Sequence, residues 1–521
     1  MLKKLISILM AAAVLLSLPV LRAVSAQTAD SNLPVVFIGG RGTTLLDKDG
    51  NRIYPMSVDI AAAVKKVIPS LTRGNLTNDY TEFCDVLYET IAEEFKDLPL
   101  DCNGDATNGS GTDFKWTKTG LSWSVKTDEP YGIYDYVFYY DWRLDTCEIA
   151  DTFAAYIDDV LEVTGAPKVK VIGRCMGGNI VLSYLDKYGS DKIDRCLLYV
   201  TTINGVAGCG AAFAGDFYVD TDAAARFAVD LGMDPVFSLN GDALLNEVVG
   251  SAVKVLSETG GTDLAVAAVK NVYDKVETNV VPRLLLATFA TYPSYWSMVG
   301  EDYYESAKAC AFAGREEEYA GLIKKIDNYH YNIQVNAAEI LKKLDSEGMS
   351  VSVVCKYGAQ QVPISKEYNM LSDNTVELYR ASFGATCTDL DKTFDDSYLR
   401  AARLRGTDKY ISPDLQVDCS TCLFPDNTWV IKNCTHSDFG QCIDELMMAV
   451  MRYPGKMSIY DNPAYPQYML YDKEANTLTG LSETNCNTPE RWEQSLPQAL
   501  LALFKSVFKL IARSIGTPAE G

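Results

Sequence analysis

The stretch KVKVIGRCMGGNIVLSYLDKY, residues 168–188, decides how the rest of the chain is read. Val169, Val171 and Ile172 form a short β-branched run that favours a buried strand. Gly173, Gly177 and Gly178 flank a sharp turn, after which Ile180, Val181, Tyr184 and Leu185 recur at helical spacing. Cys175 stands on that turn, where the partial positive charge of a helix N-terminus favours the thiolate, and Arg174 beside it acts in the same sense. A thiol so placed is a competent nucleophile once a histidine base reaches it. Without a base, the same stretch is a glycine-rich connection with a buried cysteine.

The chain has 521 residues, 48% of them hydrophobic, which is enough for one large domain with an insertion or for two domains. Residues 1–26 carry Lys3 and Lys4, an apolar run from Leu5 to Val20, and the small-residue end Val24-Ser25-Ala26. This is the pattern of a cleaved export signal, with a retained membrane anchor as the alternative, so the expected location is secreted or extracellular, in surface association or free. The net charge is −22, and cleavage would remove Lys3, Lys4 and Arg22 without removing any acid. So acidic a chain is not a nucleic-acid binder. An exported chain with 14 cysteines also permits disulfides.

Outward from the central stretch, buried-strand patterns recur at Leu33–Ile38, Tyr131–Arg143, Cys196–Ile203, Val351–Tyr357 and Thr428–Ile431. Helical patterns fall between them at Val58–Val67, Asp79–Phe95 and Thr152–Leu161. This alternation predicts a mostly parallel sheet with helices on both faces. From about Asp216 to Ser346 the pattern is helical only, at Ala223–Leu231, Ala243–Leu256, Leu264–Val276, Pro282–Phe289 and Asp302–Leu344. Inserted after a sheet strand, it reads as a helical cap over the C-terminal edge of the sheet, where open α/β folds bind ligands. The expected division is therefore a signal at 1–26, a first part of the core at 27–215, the cap at 216–346, a second part at 347–490, and an amphipathic basic helix at 491–521. In that last helix Lys505, Lys509 and Arg513 repeat against Leu501, Phe504, Phe508 and Ile511. It suits either docking on its own domain or contact with a membrane surface.

A strand followed by a G-x-nucleophile-x-G turn and a helix is the nucleophile elbow of α/β-hydrolases, with cysteine here in the serine position. The Gly39-Gly40-Arg41-Gly42 loop after the first strand then supplies one oxyanion donor, the backbone of Gly40 or alternatively Arg41, and Met176 supplies the other. The sequence holds two histidines. His330 falls in the expected cap, whereas His436 follows both the nucleophile and a set of acids, in the order nucleophile, acid, histidine. Asp414 is the acid that proximity to His436 points to, with Asp418 and Asp426 as alternatives. Cys419, Cys422, Cys434 and Cys442 crowd the same segment, but their spacing meets no zinc-finger pattern, so disulfides that pin the histidine loop are expected ahead of a metal. No cofactor is called for.

Several segments together resemble the lecithin:cholesterol acyltransferase and phospholipid:diacylglycerol acyltransferase family of α/β-hydrolases. They are VVFIGGRGTTL near the N-terminus, YDWR at 140–143, GRCMGGNIVLSYL at the elbow, VSVVCKYG at 351–358, SPDLQV at 412–417, and His436. YDWR is the most specific of them. The resemblance implies acyl transfer from a lipid ester, to water or to an alcohol, through an acyl-enzyme. By position it sets Cys175 where the family has its catalytic serine, Asp414 at the acid and His436 at the base. This chain departs from the family at Cys175 and at Ile38-Gly39-Gly40-Arg41, where proline-glycine is usual. A Cys-His-Asp triad operates in this fold in dienelactone hydrolases, with a shift toward activated esters or thioesters. Two other readings stand beside it: a degenerate hydrolase fold with an inert Cys175 that binds lipid or a cell surface through the tail helix, and a cysteine protease or amidase that uses the same triad.

Overall fold

Runs of Val, Ile, Leu and aromatic residues with no polar alternation are strands that must be covered on both faces. The segment Val35–Ile38 is one of these, buried at all four positions. The computed structural model describes residues 33–486 apart from 41–43, 56–59, 113, 115, 118–133 and most of 219–260. Its main sheet has eight strands: β1 (Val35–Ile38), β2 (Tyr136–Phe138), β3 (Val169–Arg174), β4 (Ile193–Tyr199), β5 (Ser350–Tyr357), β6 (Thr428–Lys432), β7 (Tyr468–Asp472) and β8 (Thr477–Gly480). Their order across the sheet is β2-β1-β3-β4-β5-β6-β7-β8. Every neighbouring pair is parallel except β7 and β8, which form an antiparallel edge.

Helices α1 (Ile60–Thr77), α2 (Thr81–Phe95), α3 (Thr146–Thr164), α4 (Met176–Tyr188), α5 (Ala207–Ala214) and α6 (Gly261–Ala287) are followed by α7 (Tyr304–Ala311), α8 (Ala320–Asn328), α9 (Ala337–Ser346) and α10 (Gln441–Arg452). On one face of the sheet, Phe153 and Tyr156 of α3 and Ile180, Val181 and Tyr184 of α4 pack over Val36, Val171 and Leu198. On the other face Leu446, Met447 and Met451 of α10 cover Phe37, Ile172, Leu197 and Trp429. Local chemistry sets the ends of α3. The Asp145 carboxylate accepts the N–H of Cys147 at 3.2 Å, and Gly165 ends the helix at φ 66°.

The structure differs from the sequence reading in three places. Of the expected Tyr131–Arg143 strand, 131–133 lie outside the described residues and the rest is strand only over Tyr136–Phe138, because Asp141 and Arg143 pair locally and the Leu144 N–H closes a turn on the Asp141 carbonyl at 3.3 Å. The sheet continues past His436 with β7 and β8, which the sequence patterns do not mark. The two patterns Leu264–Val276 and Pro282–Phe289 merge into α6, with Pro282 inside the helix. The segment after α6 is also fastened beside α4. Asn179 of α4 donates to the Ser297 carbonyl at 2.8 Å, and Gln334 donates to the carbonyl of Ile203 at 2.9 Å. The leader 1–26, the tail 491–521, Arg41 and nearly all of the patterns Ala223–Leu231 and Ala243–Leu256 lie outside the described residues. Among the described residues, no helix is long and apolar enough to cross a membrane.

Candidate active site

Cys175 joins β3 to α4 with φ 55° and ψ −130°, a backbone conformation that L-residues avoid and that concentrates at functional turns. Its N–H donates to the Tyr199 carbonyl at 3.0 Å, and its carbonyl accepts from Gly178 N–H at 2.9 Å, so the strained turn is held from both sides. The turn also requires a close approach of backbones. At Gly177 a Cβ would run into the carbonyl oxygens of Ile38 and Gly39. Because Ile38 pairs with Gly173 across β1 and β3, the loop after β1 comes to rest against the turn. A Cβ on Gly40 would stand 3.2 Å from the Cys175 sulfur and 3.5 Å from Met176 N. The two expected oxyanion residues are thus brought to the sulfur. Tyr140 holds the glycine loop in place, its hydroxyl meeting the Gly39 carbonyl at 2.6 Å and the Gly40 carbonyl at 3.0 Å.

His436 lies on the loop after β6, and its Nδ1 is 2.8 Å from Oδ2 of Asp373. The carboxylate there is Asp373 and not Asp414. Asp373 sits in the loop after β5, only 1% exposed, with Oδ1 accepting the N–H groups of Thr375 at 3.0 Å and Val376 at 2.7 Å. Its carbonyl also accepts the His436 N–H at 2.6 Å, which locks the two loops together. Burial opposes its charge, but His436 and the bond from Val376 prevail and hold its pKa below the ordinary carboxylate value. The carboxylate leaves Nδ1 as the donor and directs Nε2 outward. Nε2 is buried and makes no hydrogen bond of regular geometry to a described residue.

Asp414 instead meets Lys432 Nζ at 2.9 Å, the Tyr357 hydroxyl at 2.5 Å and the Ser412 hydroxyl at 2.5 Å. Tyr357 and Lys432 are register partners at the ends of β5 and β6, so Asp414 ties those ends together and is spent there. Asp418 caps the Cys419–Thr421 turn and accepts the Tyr398 hydroxyl at 2.8 Å, while Asp426 takes that of Tyr410 at 2.6 Å. His330 stacks on Tyr304 with ring centroids 3.6 Å apart and bonds to Gln334, as a packed core residue does. Proximity along the chain does not point to Asp373, which precedes His436 by 63 residues. The signal that does mark it is Ser372-Asp373-Asn374, a turn-forming cluster on the loop that leaves a buried strand at the sheet's C-terminal edge.

The electrostatics couple the thiol to the ring. Burial raises the Cys175 pKa, but the charge and hydrogen bond of His436, then Arg174 and the Met176 N–H, outweigh it, and the thiol ends below its ordinary value. Burial lowers the His436 pKa in turn, and Asp373 and Cys175 more than reverse this, raising it to about 9. The shifts act in opposite senses on the two groups: His436 favours the charged form of Cys175, and Cys175 with Asp373 favours the charged form of His436. Two buried cations hold the histidine loop: Arg174 donates to the His436 carbonyl at 2.6 Å, and Lys356 donates to the carbonyls of Thr435 at 3.1 Å and Asp438 at 2.7 Å.

All 14 cysteines are free thiols in the structure. Of those expected to pin the histidine loop, Cys434 lies at Lys356, Cys442 meets Asn476 Oδ1 at 3.4 Å, and Cys419 contacts Cys422. Among the described residues, no group of three or more His, Cys, Asp or Glu side chains is arranged to hold a metal.

A family model described as the alpha/beta hydrolase fold matches residues 109–254, the part of the chain that contains the Cys175 turn. No curated protein matches the chain. Among solved structures it is similar, at 11% identity and TM-score 0.20, to a meta-cleavage product hydrolase, CumD, over 81% of this chain and 90% of that one. A CumD structure from Pseudomonas fluorescens IP01 complexed with acetates matches at 11% identity and TM-score 0.18, over 64% of this chain and 75% of that one. The Tle4–Tli4 complex matches at 11% identity and TM-score 0.29, over 92% of this chain and 99% of that one. The matched family model and the mostly parallel eight-stranded sheet give the chain the α/β-hydrolase fold.

Proposed function

We propose that this α/β-hydrolase-fold chain is a thiol-dependent acyl hydrolase or O-acyltransferase that acts on carboxylic esters of lipids through an acyl-enzyme. One observation carries the reading: a strained Cys175 is coupled to His436, whose Nδ1 is held 2.8 Å from the buried Asp373 carboxylate. In this mechanism the Cys175 sulfur attacks the ester carbonyl and the backbone amides of Gly40 and Met176 receive the oxyanion. His436 passes its proton to the departing alcohol and then accepts one from water or an acceptor alcohol, which releases the acyl group. Asp373 keeps the ring in one tautomer and supports its positive charge.

The preference for lipid is supported by an apolar cavity of about 1080 Å³ among α1, α2 and α6, lined by Leu71, Phe83, Phe95, Val276, Leu284 and Phe289 among others. Its size and lining suit a hydrocarbon chain. Export is supported by the apolar leader at 1–26, and contact with a membrane surface by the basic amphipathic pattern at 491–521.

The test is to incubate the purified chain with p-nitrophenyl esters of short and long acyl chains and to measure adduct mass and nitrophenol release. The expected result is a burst with an acyl group on Cys175, absent in Cys175→Ala; in His436→Ala the adduct forms more slowly, because the thiol has lost the histidine's charge, and then persists, because deacylation has lost its base. Equal release by all three proteins, with no adduct on Cys175, overturns the proposal.

A further inference from the structure

Four thiols converge behind the histidine loop. Cys355 lies on β5, Cys387 ends the short strand Thr386–Cys387, and Cys419 and Cys422 bracket the 3-10 turn Cys419–Thr421. Cys355, Cys419 and Cys422 are buried, and Cys387 is partly exposed. Cys419 and Cys422 lie within reach of each other, and the Cys419 N–H donates to the Tyr468 hydroxyl at 3.3 Å. The catalytic reading uses none of these groups.

We propose that Cys419 and Cys422 are a redox-active dithiol whose oxidised form is a disulfide across this single turn. In a 3-10 turn side chains three residues apart eclipse, and a rise of about 2.0 Å per residue sets their Cα atoms about 6 Å apart, inside the span of about 4.4–6.8 Å that a disulfide accepts. The turn is closed, with Cys422 N–H bonded to the Cys419 carbonyl at 3.1 Å. The neighbouring thiols are placed less well. Cys387 pairs with Val417 in antiparallel register, so Cys419 is its diagonal neighbour on the same face. Such neighbours stand about 7–8 Å apart, whereas the Cβ atoms of a disulfide stand about 3.5–4.5 Å apart. Cys355 is the register partner of Val430 on the main sheet.

The oxidant is a low-molecular-weight disulfide. One protein thiolate attacks it, forming a mixed disulfide and expelling the first small thiol. The second protein thiolate attacks the protein sulfur of that mixed disulfide and expels the second. Two protein thiols are oxidised to one disulfide, the small disulfide is reduced to two thiols, and the two protein thiol protons end on them. The bond would staple the root of β6, whose far end carries His436, because this turn runs through Pro425–Asn427 directly into Thr428–Lys432.

The test is to hold the full chain with oxidised glutathione, denature it without reductant, alkylate it with iodoacetamide and map the tryptic peptides by mass. The expected result is that peptide 410–432, which contains both cysteines, carries no label and is lighter by two hydrogens than its reduced, unlabelled form, with both labels appearing after reduction. Cys387→Ser should keep this internal link, and Cys419→Ser should lose it and leave Cys422 either labelled or carrying one glutathione, never lighter by two hydrogens. Full labelling of peptide 410–432 without reductant, or its cross-linking to the Cys387 peptide, overturns the proposal. If Cys419→Ser does not fold, the wild-type and Cys387→Ser maps decide between these outcomes. The readout is mass alone, so it stands or falls separately from the acyl-transfer reading.

Discussion

At Cys175 burial works against the thiolate and His436 works for it, and the histidine wins. Iodoacetamide labelling of Cys175 should therefore rise through a pKa below that of an ordinary thiol and hold its plateau up to about pH 9, where the raised His436 titrates and the imidazolium loses its proton. In His436→Ala burial acts with less opposition and the titration moves upward. Labelling at pH 7 should then fall about tenfold or more, because the protonated thiol becomes the dominant form and does not react. Superimposable profiles for the two proteins would refute the ion pair. The two aspartates make a second contrast. Asp373→Asn should reduce kcat by about 10³–10⁴, because the ring loses its tautomer and its counter-charge. Asp414→Asn should leave kcat within a few-fold and cost about 1–3 kcal/mol in denaturant unfolding, because Lys432 and the Tyr357 hydroxyl lose their acceptor. Initial rates and melts on the same two preparations separate the outcomes.

The site is assembled where elements end. β1 delivers Gly40, β3 delivers Cys175, β5 leads to Asp373 and β6 to His436, all at C-terminal strand ends of one sheet. The fit between the end of β1 and the N-terminus of α4 is the tightest of these joints. Gly177→Ala forces a methyl against the carbonyl oxygens of Ile38 and Gly39, which are backbone and cannot turn aside. It should cost about 3 kcal/mol in chemical unfolding. Gly40→Ala tests the neighbouring space differently. Its methyl would stand 3.0 Å from the Cys175 Cβ and 3.2 Å from the sulfur, where the reacting carbonyl has to enter. The expected loss is about 10²–10³ in kcat, the scale of one lost oxyanion donor, with the melting temperature little changed. A melting temperature that falls in parallel with kcat would show a folding defect instead.

Across the whole molecule, the YDWR motif acts as a fastening rather than as a catalytic group. Arg143 is fully buried and pairs with Asp141 at 2.7 Å, while its Nη1 reaches the Leu98 carbonyl at 2.8 Å and the Ser110 hydroxyl at 3.0 Å. The segment after α2 is thereby tied to the end of β2, and Trp142 packs edge-on against Tyr292 from the helical layer. Arg143→Gln leaves Asp141 charged, buried and unpaired, and should cost about 3–5 kcal/mol in denaturant unfolding, with kcat per folded molecule unchanged. The sequence made this motif conspicuous, and packing explains why.

By itself the sequence determined the alternation of strands and helices, the sharp turn that carries Cys175, and the one histidine placed to serve it. Those features live in short windows: β-branched runs, glycines at a close approach, and helical spacing over Ile180, Val181, Tyr184 and Leu185. Tertiary structure alone decided which carboxylate faces His436. Asp414 is near in sequence but is drawn to Lys432 and Tyr357, whereas distant Asp373 is carried to the ring by β5, two strands from the nucleophile strand. The same holds for Arg174 and Lys356, whose buried charges close on carbonyls of a loop far along the chain. Such pairings depend on sheet order and register, which place residues by strand neighbour and not by distance along the chain.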